Sequence, residues 1–281
     1  DMATILMTGE LWFRVPEIIE VRLDGEAQKG VYPKDVILEV LGRIRADGAV
    51  YKAIDFTGSY VEKLNVAGRM TICNMAVEMG AKTAYMQPNA DVLNYVDKRA
   101  VRPYEVQFTD PDFQYEESYV FDVSKIEPNL ACPSSVENVH PLSEVVANGP
   151  IKLNQGYIGS CTGGRVEDIA IAAKILKGRH IPEYTRLIVV PASNEVMQEC
   201  MKAGYIQDLM NAGATITTPG CGACLGAHEG ILAPGEVCIT STNRNFPGRM
   251  GSTEALMYLA SPATVAASMV NGCITDPRDF L

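Results

Sequence analysis

The chain has 281 residues and a formal net charge of -10, with 47% hydrophobic and 21% charged residues and a pI near 4.9. That balance is ordinary for a soluble globular protein, and the length allows a large core and two domains. It argues against nucleic acid or an anionic membrane as the main partner, since both need dense Lys and Arg. The longest apolar region, residues 255–270, is interrupted by Ser261, Pro262, Thr264 and Ser268 and does not read as a bilayer span. Eight cysteines without a compact disulfide spacing, and no basic and apolar leader, predict a reducing, cytoplasmic setting.

In chain order, strand-like and helix-like segments alternate. The chain opens at Asp1 and runs directly into apolar residues, as if upstream residues were missing. Residues 18–23 predict a strand, and Pro33 and Asp35 mark the first turn of a helix whose buried stripe is Val36, Ile37, Val40, Leu41 and Ile44. Residues 51–56 predict a strand, 68–80 a helix capped by Gly80, 83–86 a short strand and 90–98 a short helix. The stretch 102–130 is rich in Pro, Asp and aromatics, with a clear strand only at 119–123. A domain boundary is expected near Cys132, giving units 1–132 and 133–281. The second unit resumes with a strand at Tyr157 and Ile158, a helix over 167–177, a strand over 187–190 and a helix over 194–203. Strands follow at 215–217 and 237–240. Both units read as α/β layers.

Three cysteines carry the most chemical information. Cys161 lies in Gly159-Ser160-Cys161-Thr162, and Cys221 and Cys224 lie in Pro219-Gly220-Cys221-Gly222-Ala223-Cys224-Leu225-Gly226. A close pair plus one distant thiolate suits three corners of a 4Fe-4S cluster, with one iron left open as a Lewis acid. The same residues with His228 would suit tetrahedral zinc, although a chain this long needs no metal staple. Each motif follows a predicted strand, where ligands gather in open α/β sheets. Gly159, Gly163, Gly164, Gly220, Gly222 and Gly226 are expected to let backbone N–H groups approach the cluster sulfides. Cys73, Cys132, Cys200, Cys238 and Cys273 read as small buried hydrophobes.

Two further groupings qualify. Arg244 and Arg249, in a Gly- and Pro-containing loop with Asn243, Asn245 and Phe246, offer a cationic clamp for a carboxylate. Asn74 and Glu78, four apart on an otherwise apolar helix, are either hydrogen-bonded in the core or aimed into a site. His140, His180 and His228 show no hydrolytic arrangement.

Taken together, the two cysteine motifs, Asn243-Arg244-Asn245-Phe246 with Gly248-Arg249, and Ile72-Cys73-Asn74-Met75 with Glu78 resemble the aconitase superfamily. The likeness covers essentially the whole chain and is strongest to its two-subunit branch, the 3-isopropylmalate dehydratase and homoaconitase large subunits. The resemblance implies two α/β/α domains of the aconitase iron-sulfur fold, with the N-terminal domain absent. It implies a 4Fe-4S cluster on Cys161, Cys221 and Cys224, substrate carboxylates at Arg244 and Arg249 with Asn243 nearby, and Asn74 and Glu78 around the open iron. The implied reaction removes and re-adds water on a hydroxy-dicarboxylate or tricarboxylate, as from 2-isopropylmalate to 3-isopropylmalate in leucine biosynthesis. Homoaconitase and dimethylmalate or methylmalate dehydratase are the enzymatic alternatives, and a cluster-sensing RNA-binding regulator the non-enzymatic one. The resemblance also implies a separate small, swivelling-domain subunit carrying the catalytic base. Gly163-Gly164-Arg165 departs from the Asn-Ser/Gly-Arg expected after the first cysteine motif.

Overall fold

The computed structural model describes residues 2–281. Helix α1 (Met2–Thr8) precedes strand β1 (Ile18–Asp24), helix α2 (Pro33–Ile44), strand β2 (Ala53–Thr57) and helices α3 (Ser59–Lys63) and α4 (Val66–Met75). Strand β3 (Thr83–Tyr85), helix α5 (Ala90–Asp97) and strand β4 (Glu117–Asp122) follow. The chain continues through β5 (Asn129–Ala131), β6 (Val139–Pro141), α6 (Leu142–Ala147), β7 (Gln155–Gly159), α7 (Val166–Leu176) and β8 (Arg186–Val190). It ends with α8 (Asn194–Lys202), α9 (Tyr205–Asn211), β9 (Thr215–Ile216), β10 (Val237–Thr240), β11 (Leu256–Leu259) and α10 (Pro262–Asn271).

The strands form two sheets. The first has the order β3-β2-β1-β4 and is parallel throughout. The second has the order β6-β5-β11-β10-β7-β8-β9, parallel from β11 to β9, with β5 antiparallel to both β11 and β6. The chain moves outward from β7 through β8 to β9, then returns to the other side of β7 to lay down β10 and β11. Strand order therefore reverses between β7 and β10, and the crevice beyond their carboxyl ends is where such sheets take ligands.

Helix α2 lies between the two sheets. Its predicted stripe Val36, Ile37, Val40, Leu41 and Ile44 is buried in the core of the first sheet, whose cluster also takes in Ala131 and Leu259 of the second. The helix packs on β5 and β6 as well. At its start, Asp35 accepts the backbone N–H of Tyr32 at 2.9 Å and of Asn129 at 3.0 Å, tying the helix to β5. A helix buried on so many sides must satisfy its own first turn, and Asp35 does so.

Several elements differ from expectation. The helix over 68–80 begins earlier, at Val66, because Asn65 caps it by accepting the N–H of Gly68 at 2.9 Å. It also ends earlier: Ala76–Met79 tighten into a 3-10 turn before Gly80 takes the left-handed cap. Strand β2 cannot start at Tyr51, whose φ of 60° is left-handed. The apolar region 255–270 divides into β11 and α10, with Ser261 at the helix N-cap and Pro262 in its first turn. No helix among the described residues is long and apolar enough to cross a membrane. Cys200 and Cys238 are buried as expected, whereas Cys73, Cys132 and Cys273 are half-buried.

Burial pushes the Asp35 carboxyl up from 3.8 to about 7, with the hydrogen bonds from Asn129 and Tyr32 opposing it. The folded chain then holds a proton that the unfolded chain releases, so this residue's contribution to stability is fully present below about pH 4. It is lost as the pH rises to 7, on the order of a few kcal/mol in all. Asp35→Asn is expected to narrow the difference in melting temperature between about pH 5 and about pH 7.5. An unchanged difference would show that Asp35 is ionised throughout.

Candidate iron-sulfur site

Cys161 stands two residues past the end of β7. Ser160 makes the turn with a φ of 72°, and Thr162 is buried beneath it. On the neighbouring strand, β10 runs into Ser241, Thr242, Asn243 and Arg244. The Ser241 hydroxyl joins the two loops: it accepts the N–H of Gly159 at 3.0 Å and lies 3.4 Å from the carbonyl oxygens of Gly159 and Gly163. A Cβ on Gly163 would sit 2.5 Å from Ser241 Cβ and closer still to its hydroxyl. Glycine here permits close packing of two loops.

The second cysteine motif follows β9 and folds as a 3-10 turn, Gly222–Leu225, with Gly226 left-handed after it. Fully buried Tyr157 of β7 donates its phenol to the carbonyl oxygen of Cys221 at 2.8 Å, fixing this turn to the strand that also delivers Cys161. A Cβ on Gly222 would meet that phenol oxygen at 2.9 Å. Gly159, Gly163, Gly164, Gly222 and Gly226 each abut protein atoms, and only around Gly220 is there open space.

The sequence-predicted residues converge. Burial pushes the Cys224 thiol up; the positive charge of Arg249 pulls it down, and the charges of Cys161 and Cys221 push it up again. Cys161 and Cys221 are thus both near enough to Cys224 for their charges to act on its thiol. Asn243 Nδ2 points at Cys161 Sγ from 3.8 Å, and its side-chain oxygen accepts the Thr162 hydroxyl. Asn74 donates to the carbonyl oxygen of Cys161 at 3.3 Å, and Thr71 of the same helix donates to that of Thr162 at 3.3 Å.

Glu78 reaches the site by another route than a shared helix face. Lying in the 3-10 turn, it takes Arg244 Nε between both carboxylate oxygens at 2.8 and 2.9 Å. Its side chain is only 9% exposed, against 37% for Arg244. The terminal nitrogens of Arg244 have no protein partner among the described residues. Arg249 stacks on Phe246 at 5.6 Å, and its Nε is buried without a partner.

Sequence reading missed Lys34. Its side chain is fully buried, and Nζ donates to the carbonyl oxygens of Ser241 at 3.1 Å and Thr242 at 2.6 Å. Burial pulls it down to about 8, while Cys161 and Cys224 hold it up. The signal was present: position 34 precedes 37, 41 and 44 at helical spacing, which puts a charge on the buried stripe.

The donor set fits an iron-sulfur cluster. All three cysteines are free thiols, two of them exposed, and Ser160 Oγ beside Cys161 is buried without a partner. Among the described residues no three His, Cys, Asp or Glu side chains come close enough to hold a single metal ion. The alternative zinc set of Cys161, Cys221, Cys224 and His228 is not gathered within single-ion reach among the described residues, and His228 lies 3.8 Å from Glu229.

Comparison with known proteins points the same way. A family model described as the aconitase family (aconitate hydratase) matches residues 1–272. The 3-isopropylmalate dehydratase large subunit 1 of Methanopyrus kandleri is 51% identical over 284 residues, covering 100% of this chain and 66% of that protein. A probable methanogen homoaconitase large subunit of Methanothermobacter thermautotrophicus is 49% identical over 278 residues, covering 99% and 64%. The 3-isopropylmalate dehydratase large subunit of Hydrogenobaculum sp. is 46% identical over 279 residues, covering 99% and 65%. The chain thus spans just under two thirds of the length of these curated relatives.

Gly163→Ala is expected to lower stability by about 1 to 3 kcal/mol through overpacking against Ser241. Ser241→Gly in the same chain should recover part of the loss. Thermal melts that leave Gly163→Ala unchanged would mean the two loops are not packed as described.

Proposed function

The chain belongs to the aconitase family, and from that premise we propose that it is the cluster-bearing portion of a hydro-lyase large subunit. The observation that carries this is that β7 delivers Cys161 beside Asn243, 3.8 Å away, while Tyr157 of the same strand holds the turn that carries Cys221 and Cys224. In this reading the three thiolates hold a 4Fe-4S cluster. When bound, it supplies a Lewis-acidic iron for the substrate hydroxyl.

The chain's own residues do the rest of the orienting. Asn243 and the peptide held by Asn74 steady the Cys161 thiolate. Arg244, gripped through Nε by Glu78, presents its terminal nitrogens to one substrate carboxylate, and a planar fork matches a carboxylate in a way an ammonium does not. Arg249 brings positive charge to Cys224 and to an anion beside it. These cations neutralise carboxylates in a chain of net charge -10. The base that takes the carbon-bound proton belongs, in this reading, to a small partner subunit, as the words "large subunit" in the relatives' names suggest.

The reaction is elimination and re-addition of water on a hydroxy-dicarboxylate, with 2-isopropylmalate to 3-isopropylmalate in leucine biosynthesis as the first assignment. A homoaconitase substrate is the second, because a relative of that name is 49% identical. An RNA-binding role is disfavoured by the acidic balance.

Two measurements test the proposal. Chain reconstituted anaerobically with ferrous iron and sulfide is expected to turn brown, and Cys221→Ser or Cys224→Ser to abolish the visible absorption. An unaltered spectrum in either variant removes that cysteine from the ligand set. In the complete enzyme with its small subunit, Arg244→Lys is expected to reduce turnover at least tenfold, as loss of a charge-assisted bond of about 1.5 to 3 kcal/mol implies. Wild-type kinetics would place Arg244 outside the site.

A further inference from the structure

Lys34 is a buried cation with no carboxylate in contact. Its Nζ donates to two backbone carbonyl oxygens, those of Ser241 and Thr242, and among the described residues it forms no ion pair. An ammonium taken fully out of water costs several kcal/mol unless opposite charge lies near. The charges that favour it come chiefly from Cys161, Cys224, Asp168 and Glu78, and the adjacent Asp35 interacts with it as well. Two are thiols of the proposed cluster, the first two named, and Glu78 already holds Arg244. The position is also structurally central: the carbonyl oxygen of Ser241 that Lys34 caps also accepts the Thr162 hydroxyl at 3.4 Å, directly beneath Cys161.

We propose that Lys34 is the buried counter-cation of the iron-sulfur site, a positioning residue that offsets the charge of the thiolate-held cluster and raises its reduction potential. This rests on the cluster reading above. Three thiolates on a dicationic cubane leave a net anion, which a fixed positive charge in low dielectric stabilises, and more so after the cluster gains an electron. The same ammonium fixes the carbonyls of Ser241 and Thr242, and with them the entry to Asn243 and Arg244. A lysine whose purpose were packing alone would not need its charge, and methionine would fill the space.

The test separates charge from hydrogen bonding. Wild type, Lys34→Gln, which keeps a donor without the charge, and Lys34→Arg, which keeps the charge, are reconstituted anaerobically with ferrous iron and sulfide. Iron and sulfide content is measured, and the cluster is titrated with electron paramagnetic resonance as the readout. Lys34→Gln is expected to move the midpoint to more negative potential by about tenfold in the reduction equilibrium, which is about 59 mV for a one-electron couple. Lys34→Arg should stay near the wild-type value, although both metal-free variants melt at lower temperature. A Lys34→Gln midpoint equal to wild type, or equal shifts in the two variants, overturns the inference while leaving the cluster assignment intact. Wild-type chain that takes up no iron and sulfide overturns both. Should Lys34→Gln not fold, Lys34→Met supplies a neutral side chain of similar length, judged by the same two outcomes.

Discussion

The parallel pairing of β7 with β10 is the constraint on which the site depends. Cys238 through Thr240 lie beside Gln155 through Tyr157 in register, so β10 ends two residues short of the end of β7 and both release their loops into one crevice. The Ser241 hydroxyl then stitches those loops together across the reversal in strand order. Cys161 and Asn243, 82 residues apart in sequence, come within 3.8 Å for this reason alone. Tyr157 extends the arrangement to the third loop, since its main chain belongs to β7 and its phenol holds Cys221.

The first sheet contributes through α2 and the end of α4. Helix α2 brings Lys34 under the crevice and Asp35 to β5, while α4 and the turn after it bring Thr71, Asn74 and Glu78 to its rim. The polar side of the site is thus assembled from two halves, joined by hydrogen bonds to main-chain carbonyls as well as by side-chain pairs. Carbonyl acceptors suit this purpose because main-chain atoms just beyond the strand ends have little freedom of their own, so side chains that reach them are held in turn.

Much of this was legible in the sequence, and the parts that were not share physical causes. Alternating strands and helices gave the α/β class, and the buried stripe of α2 was readable from its 3.6-residue period. The short strands β5 and β6 were not, because three residues carry too little periodicity to stand out. The early end of α4 escaped because Ala76–Met79 continue an apolar pattern that suits a helix, whereas the hydrogen bonding tightens there. Of the eight candidate site residues, the cysteines and arginines were named from their chemical type and spacing, while Asn243 and the site roles of Asn74 and Glu78 came from the family resemblance. The close approach of Gly163 to Ser241 and of Gly222 to Tyr157 was not legible, because sequence does not tell which neighbour a glycine makes room for. Lys34 was overlooked for a related reason: its neighbours announced a core helix, and a lone charge among them drew no notice.

The grip of Glu78 on Arg244 has a thermodynamic consequence for whatever anion enters. A free arginine surrenders much rotational freedom when it closes on a partner, and that loss is subtracted from affinity. Here the loss has already been absorbed by folding, since both carboxylate oxygens clasp Nε and only the outer edge of the guanidinium faces outward. A carboxylate entering here would meet a rigid template, and small errors in its placement would not be accommodated by swinging the side chain. Stereochemical selectivity would follow from that stiffness as much as from the shape of the crevice.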